Sequence, residues 1–532
     1  MTTLTLSNGV LAEVPVVNGV NGTRTPRSRP INVLKFGGTS VGKFPLDIVN
    51  VVKSCSSETD VAIVCSARSS STKAAGTTNR LLRAATEAEN HRSQDFKRLI
   101  EDVRLDHLEA AETYIQSEKV RSQLRAECED ECSLVERILE AAQTLGETSP
   151  RSRDKVMSTG EKLSCRFMAA LLQDRGIDAE YVDLADVIDF RVSHSLDQQF
   201  YDSMASRLAR RLQDITPGKV PVITGYFGAI PRGLLTTVGR GYTDLCAALV
   251  AVGLGANELQ IWKEVDGIFT ADPRKVPTAQ LISRISPAEA AELTFYGSEV
   301  IHPSTMDQVI RSRIPIRIKN VMNPRGGGTI IYPDSPSELA STLSGHDPKL
   351  FRSRSPSQLT EGEKPKRPTA ITMKHKILVM NIHSNKRALS HGFFAGIFAT
   401  LDKWRMSVDV ISTSEVNMSM ALHSEAPLYT GTGDDEYQIV DQDLQGAIEE
   451  LKNFGTVDII PEMAIVSLVG KQMKHMIGIA GKMFSTLGSN NVNIEMISQG
   501  ASEINISCVI AERDADRALN ILHTNLFTFL EP

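Results

Sequence analysis

This sequence predicts a three-layer α/β unit with a mainly parallel sheet, followed by two small α+β units. Three observations predict it. From residue 31 to about 335, short β-branched runs alternate with helical stretches, the pattern of a parallel sheet covered on both faces. Residues 346–370, "HDPKLFRSRSPSQLTEGEKPKRPTA", are rich in Ser, Pro and charge and read as a linker that closes a first unit at 31–345. Beyond it a β-α-β-β-α pattern occurs twice, at 371–455 and 460–532, an internal repeat that suits a split β-α-β arrangement.

Composition narrows the function classes. A chain of 532 residues exceeds one compact core, so several domains are expected. A net charge of −6 without a long basic patch argues against a nucleic-acid partner. No segment reaches the apolar length of a membrane span. Residues 1–30 are polar and rich in Gly, Asn and Thr, so a disordered tail is expected there. The seven cysteines are scattered except for Cys128 and Cys132, which fits reduced structural thiols in a cytoplasmic protein and no metal site.

The first strand, "INVLKF", leads into "GGTSVGKF". From Gly37 this reads G-x-x-x-x-G-K, yet Phe44 stands where a Walker A loop needs the Ser or Thr that holds magnesium. A phosphate loop of another kind is expected instead. Lys35 would end the strand, Gly37, Gly38, Thr39 and Ser40 would form the loop, and a helix would open at Pro45 with Leu46, Val49, Val52 and Lys53 at helical spacing. Glycines admit backbone N–H groups to phosphate oxygens, and a helix N-terminus adds a favourable dipole. Taken alone, the stretch is read equally well as a glycine turn.

The strand "DVAIVCSA" follows, and then Gly76, Thr77, Thr78 and Asn79 open a helix, either as a hydroxyl-rich site or as a plain N-cap. Residues 92–148 insert long charged helices, "FKRLIEDVRLDHLEAAETYI", expected as a solvated hairpin without chemistry. In "VMSTGEKLSCRFMAALL", Glu161 is expected in the first turn of an apolar helix, as a cap or as a carboxylate aimed at an ammonium group. Strands "AEYVDL" and "VPVITGYFG" precede "TTVGRGYTDLCAALVA". There Arg240, between two glycines, suits bidentate recognition of a carboxylate, and Thr243 and Asp244 start a helix. Strand "ELQIWKEV" runs into "DGIFTADPRKV", where Trp262, Lys263, Phe269 and Arg274 would floor and clamp a nucleotide, unless the stretch is a surface turn. "PIRIKNV" is the last strand of this unit.

"KFGGTSV", "STGEKLS", "GRGYTD", "VDGIFTADPR" and "IHPSTM", in this order, resemble the motifs of aspartate kinases of the amino acid kinase superfamily. The tandem repeat resembles their C-terminal ferredoxin-like ACT domains, and "SARSSSTKAAGTTN" with "KEVDG" is similar to the fungal branch. The resemblance implies ATP and Mg²⁺ as the phosphoryl-donor complex and L-aspartate as acceptor. It places Lys35 and Gly37–Ser40 on the transferring phosphoryl group. Arg240 falls on the substrate α-carboxylate, Glu161 and Asp244 on its α-ammonium, and Thr78 and Thr243 in the same pocket. Trp262, Lys263, Glu264, Phe269, Asp272 and Arg274 match the nucleotide stretch. One departure is Glu299 in "GSEVIHPST", where many bacterial relatives carry lysine.

The ACT resemblance further implies an amino-acid effector bound between subunits of a homodimer or higher homo-oligomer. His391, Gly392, Phe393, Phe394, Asp409, Ser414 and Glu415 match the effector-cradling stretches, with threonine expected as inhibitor and lysine as runner-up. Two other readings stay open. Another amino acid kinase, for glutamate or N-acetylglutamate, would share the sheet and the opening lysine. A non-catalytic amino-acid sensor would need only the ACT pair.

Overall fold

The computed structural model describes residues 29–333 and 367–528, except 70–75, 191, 193–195, 214, 216–217, 240, 298–300, 385–391, 415, 424–427, 431–437, 472, 474–475 and 501–503. Arg240, His391, Glu415 and Glu299 lie outside the described residues, as do nearly all of the expected tail and linker.

All six expected strands form: β1 (Ile31–Phe36), β2 (Asp60–Cys65), β3 (Ala179–Val182), β4 (Val220–Thr224), β5 (Glu258–Lys263) and β7 (Ile316–Asn320). Two short strands complete the sheet, β6 (Arg284–Ile285) and β8 (Thr329–Ile331). The order is β3-β4-β2-β1-β5-β7-β8-β6, parallel except where β8 runs against β7. Strand β1 is central, and its side chains alternate between two cores as the pleat dictates. Ile31 and Val33 pack into one core, Leu34 and Phe36 into the other. Among the described residues eleven helices cover this sheet: α1 (Gly38–Lys43), α2 (Pro45–Glu58), α3 (Thr77–Glu87), α4 (Asp95–Tyr114), α5 (Glu118–Leu145), α6 (Pro150–Asp174), α7 (Gln198–Gln213), α8 (Leu234–Val238), α9 (Tyr242–Leu254), α10 (Pro287–Phe295) and α11 (Pro303–Arg311).

Three expectations are corrected here. The glycine loop is itself helical: Gly37 is its extended N-cap, and Val41 N donates to Gly37 O at 3.0 Å to close the first turn of α1. In α2 the buried side is Pro45, Ile48, Val49, Val51 and Val52, while Leu46 faces out. The hairpin α4–α5 is solvated on one side only. Phe96, Ile100, Val103, Leu124, Cys128, Cys132 and Leu139 join the core beneath β1 and β2, because the apolar residues recur at helical spacing. Burial pushes the thiol of Cys128 up to about 12 and that of Cys132 up to about 11, so both stay protonated and inert.

A second sheet holds β9 (Ala370–Ser384), β10 (Val408–Thr413), β11 (Asn417–His423), β14 (Gly455–Val469), β15 (Met496–Ser498) and β16 (Asn505–Ala511), in the order β10-β11-β9-β14-β16-β15. A ribbon of β12 (Tyr429–Thr430) and β13 (Gln438–Ile439) stands apart. Helices Phe393–Lys403, Gln442–Leu451, Ile479–Ser489 and Ala515–His523 complete two units. The units exchange strands. Residues 377–383 of β9 pair with β11, while 370–374 pair with 465–469 of β14, which continues onto β16. Conversely, 455–460 of β14 pair with 379–384 of β9. Lys376 and Glu462 sit at these crossings with φ of 58° and 55°, a left-handed backbone that lets each strand pass from one unit to the other. The second unit therefore takes an edge of its sheet from residues at the very start of the first.

Candidate active site

The site gathers at the C-terminal ends of β1, β2 and β5, where a parallel sheet usually binds ligands. Lys35, second from the end of β1, places Nζ 2.6 Å from Asp244 Oδ1 in the first turn of α9, and both side chains are mostly buried. Thr243, next to Asp244, donates its hydroxyl to Glu161 Oε1 at 2.7 Å. Glu161 is fully buried, and its Oε2 has no partner among the described residues. Burial pushes its carboxyl up to about 7, against the Thr243 and Tyr242 hydroxyls and the Lys35 charge, which pull it down. Thr77 is likewise buried with an unpartnered hydroxyl, whereas Thr78, the expected contact, is half-buried beside it.

Glu161 does not lie in a first turn. Helix α6 starts at the Ser149 cap with Pro150 at its first position, so Glu161 projects from mid-helix. Ser158-Thr159-Gly160 reads like a cap, but Gly160 is needed for packing. A Cβ there would stand 3.0 Å from Ala67 and Thr77 side-chain atoms and 3.2 Å from Leu81. The helix passes through, and the carboxylate is a buried group facing Thr243 rather than a dipole partner.

Two of the glycines in these motifs, Gly38 and Gly241, are contact points. A Cβ on Gly38 would meet the Ala67 carbonyl oxygen at 2.1 Å, and Ser69 N donates to Gly38 O at 2.9 Å, so the turn after β1 is laid against the segment after β2. That segment is anchored by Arg68, whose amide donates to Ser164 Oγ at 2.7 Å and whose guanidinium pairs with Asp106 of α4 at 3.1 Å. The hairpin thus supports the site through the Arg68–Asp106 pair. A Cβ on Gly241 would meet the His302 ring at 2.6 Å, which gives "GRGYTD" and "IHPSTM" one shared contact.

On the nucleotide side the expectations divide. Ser40 is completely buried and donates to Glu264 Oε1 at 2.7 Å, so its hydroxyl ties α1 to the end of β5 and is not offered to phosphate. Trp262 is a core residue. It stacks on Phe36 with centroids 6.1 Å apart, lies under Lys319 Nζ at 5.0 Å, and donates Nε1–H to Gln260 Oε1 at 3.2 Å. It cannot form the floor of a nucleotide site, because strand alternation turns it inward, while Lys263 and Phe269 are half-buried. Arg274 forms a fork with Asp272, Nε to Oδ1 at 3.0 Å and Nη2 to Oδ2 at 2.8 Å, on an exposed turn. Lys43 is exposed at the end of α1.

In the effector region Gly392 caps the helix Phe393–Lys403 with φ of 95°, and among the described residues nothing stands within 4 Å of where its Cβ would be. Phe394 and Ser414 are exposed and Phe393 is buried. Asp409 is corrected. Its carboxylate is 4% exposed and pairs with Lys374 at 2.8 Å, so it is not available to an effector ammonium. Lys374 in turn lies 5.1 Å from the Phe295 ring of α10.

A mainly parallel sheet whose central strand carries a lysine one residue from its end, with a buried carboxylate and a glycine-bounded helix start, defines an amino acid kinase. The amino acid kinase family model matches residues 30–320, and an ACT domain model matches 466–526. The chain is 53% identical over 503 residues to an aspartokinase of Candida albicans, covering 93% of this chain and 89% of that one. It is 52% identical over 502 residues to the Schizosaccharomyces pombe aspartokinase, covering 94% and 93%. Among solved structures, E. coli aspartokinase III in complex with aspartate and ADP (R-state) superposes with a TM-score of 0.70 at 29% identity, covering 93% of this chain and all of that one. The same enzyme in complex with lysine and aspartate (T-state) gives 0.68 at 28%, covering 93% and 99%. The chain belongs to the aspartokinases, and it is an enzyme of that activity.

Proposed function

We propose that this aspartate kinase transfers the γ-phosphate of ATP to the side-chain carboxylate of L-aspartate, giving 4-phospho-L-aspartate, the first step toward threonine, methionine and isoleucine. The observation that carries the reading is the Lys35–Asp244 pair, 2.6 Å apart, beside the buried and half-satisfied Glu161. Aspartate's side chain has an ordinary pKa of about 3.9 and is already an anion, so the attack needs no general base. A carboxylate oxygen forms the new bond to phosphorus while the bond to the β–γ bridging oxygen breaks, and ADP leaves with the electron pair. The obstacle is repulsion between two anions, and catalysis is positioning with charge stabilisation. Lys35 and the amides of Gly37, Gly38 and Thr39 cover the transferring group. Arg240 holds the α-carboxylate, and Glu161 and Asp244 receive the α-ammonium. Mg²⁺ arrives with ATP as part of the substrate. Among the described residues no three carboxylate, His or Cys side chains converge on a resident ion, and Mg²⁺ usually keeps to phosphates, water and one or two carboxylates.

The ACT pair makes threonine the proposed inhibitor. Gly392, Phe394, Ser414 and Glu415 form the effector cradle, completed by a second copy of the chain. Phe394, Phe398, Ile411 and Val416 are all exposed on this unit, which supports an apolar contact between subunits. No helix among the described residues is long and apolar enough to cross a membrane.

An ADP-release assay with aspartate, glutamate and N-acetylglutamate tests the reading. ADP release with aspartate alone is expected. Equal turnover with either alternative transfers the chain to another amino acid kinase activity, and none with any acceptor supports a non-catalytic sensor.

A further inference from the structure

The segment 268–282 leaves the catalytic sheet and returns to it. Its neck is closed by Ile282 N to Ile268 O at 2.8 Å, a bridge between Phe269 and Leu281, and Thr270 N to Gln280 O at 2.9 Å. Ile268 N donates to Thr329 Oγ1 of β8 at 2.8 Å, so the neck belongs to the kinase unit. The tip does not. Ala271 and Val276 are 3% and 1% exposed, and both sit in the hydrophobic core of the second ACT unit with Ile371, Val466 and Met483. Ile371 N donates to Thr270 O at 2.8 Å, joining the segment to the start of β9. Lys275 Nζ pairs with Asp516 at 2.7 Å and meets His375 Nε2 at 2.8 Å.

At the centre of this contact is His523, the last residue of the helix Ala515–His523. It is 1% exposed and stacks flat on Phe527, with centroids 4.9 Å apart. Nε2 lies 2.9 Å from Thr270 Oγ1, and Nδ1 lies 3.3 Å from Thr278 Oγ1. Burial pushes the ring below its ordinary range and keeps it neutral, so one nitrogen donates and the other accepts. A single imidazole therefore spans the two ends of the tip. The same short segment carries Phe269 and the Asp272–Arg274 fork, which the sequence resemblance assigns to the nucleotide.

We propose that His523 is a positioning residue for the nucleotide: by bridging Thr270 and Thr278 it sets the conformation of the 268–282 segment, so that ATP is held by a loop whose shape the second ACT unit dictates. The inference rests on the reading of this segment as the nucleotide stretch. A loop clamped from the regulatory side can change ATP binding without any change in the kinase core, provided the unit has two arrangements that differ at this contact.

Steady-state kinetics on the full chain test it. His523→Ala is expected to raise KM for ATP by about fivefold to tenfold, the scale of one or two buried hydrogen bonds, with KM for aspartate within about twofold. His523→Gln, which keeps a donor and an acceptor, restores much of the loss. Thr278→Val, nearly isosteric, raises KM for ATP in the same direction and decides the matter if His523→Ala does not fold. An unchanged KM for ATP in folded His523→Ala and Thr278→Val, or a parallel rise for both substrates, overturns the inference. Arg274→Ala separates this from the reading beneath it. If Arg274→Ala raises KM for ATP while the His523 and Thr278 variants do not, only the positioning role fails. If Arg274→Ala also leaves KM for ATP unchanged, the nucleotide assignment falls and the inference with it.

Discussion

Lys35 faces two carboxylates, one paired with it at 2.6 Å and one buried nearby whose proton affinity its charge lowers. Replacing it by Ala is expected to lower turnover by about 10²–10³-fold, the scale of one preorganised charge-stabilising donor. Lys43→Ala, at an exposed position, is expected to stay near wild type. A steady-state assay checks both, and near-normal turnover in Lys35→Ala removes that residue from the mechanism. Glu161 adds a pH dependence. With its carboxyl at about 7 it is largely protonated in mildly acidic solution, yet it must be anionic to receive an ammonium group. So kcat/KM for aspartate is expected to climb as pH rises through about 7, and the climb is absent in Glu161→Gln. Stability moves the other way. The folded carboxyl holds its proton more tightly than the ordinary value of 4.5, so the folded state is favoured at low pH and loses margin between about 4.5 and 7. Denaturant titrations across that range are expected to show the decline in wild type and not in Glu161→Gln.

At the scale of elements, helix–strand joints set the site. The turn after β1 touches the segment after β2 through Gly38, where a Cβ would meet a backbone oxygen at 2.1 Å that cannot rotate away. Gly38→Ala is expected to lower the melting temperature by several degrees and to raise KM for ATP; a folded variant with wild-type kinetics refutes the close-contact role. Much of this level was legible in the sequence. The six longer strands declare themselves by β-branched runs, whereas β6 and β8, two and three residues long, carry no periodicity to detect. Glu161 lies in mid-helix and not in the expected first turn, since Ser-Thr-Gly has the local chemistry of a cap and only the packing of Gly160 against α3 overrides it. Trp262 was misread for a similar reason. An aromatic beside a lysine at a strand end looks like a ligand platform until the pleat turns it into the core against Phe36. The Ser40–Glu264 bond joins residues 224 apart in sequence and left no local signal.

Across the whole molecule, the proposed threonine control has to pass through the contacts between the kinase unit and the ACT pair. Asp409, buried against Lys374, belongs to one of them, because Lys374 also covers Phe295 of the kinase unit. Asp409→Ala therefore leaves a mostly buried ammonium unpaired, and a melting temperature lowered by several degrees is expected, rather than a clean relief of inhibition. Glu415→Ala, by contrast, is expected to relieve threonine inhibition while sparing the rate without effector. Rate against threonine concentration in wild type and both variants decides this, and a wild type indifferent to millimolar threonine overturns the effector. The repeat was legible in the sequence, but the exchange of strands between its halves was not, since the partners of β9 in β14 lie about seventy to one hundred residues downstream. That exchange has a consequence for biosynthesis. Residues 370–374 leave the ribosome long before 465–469 and 505–511, the strands that complete their sheet. The first half must wait for residues 455–460 of the second, and the second half needs 370–374 of the first as well as its own last strands. The pair is therefore expected to assemble late and to melt in a single transition, so a lesion in either half unfolds both.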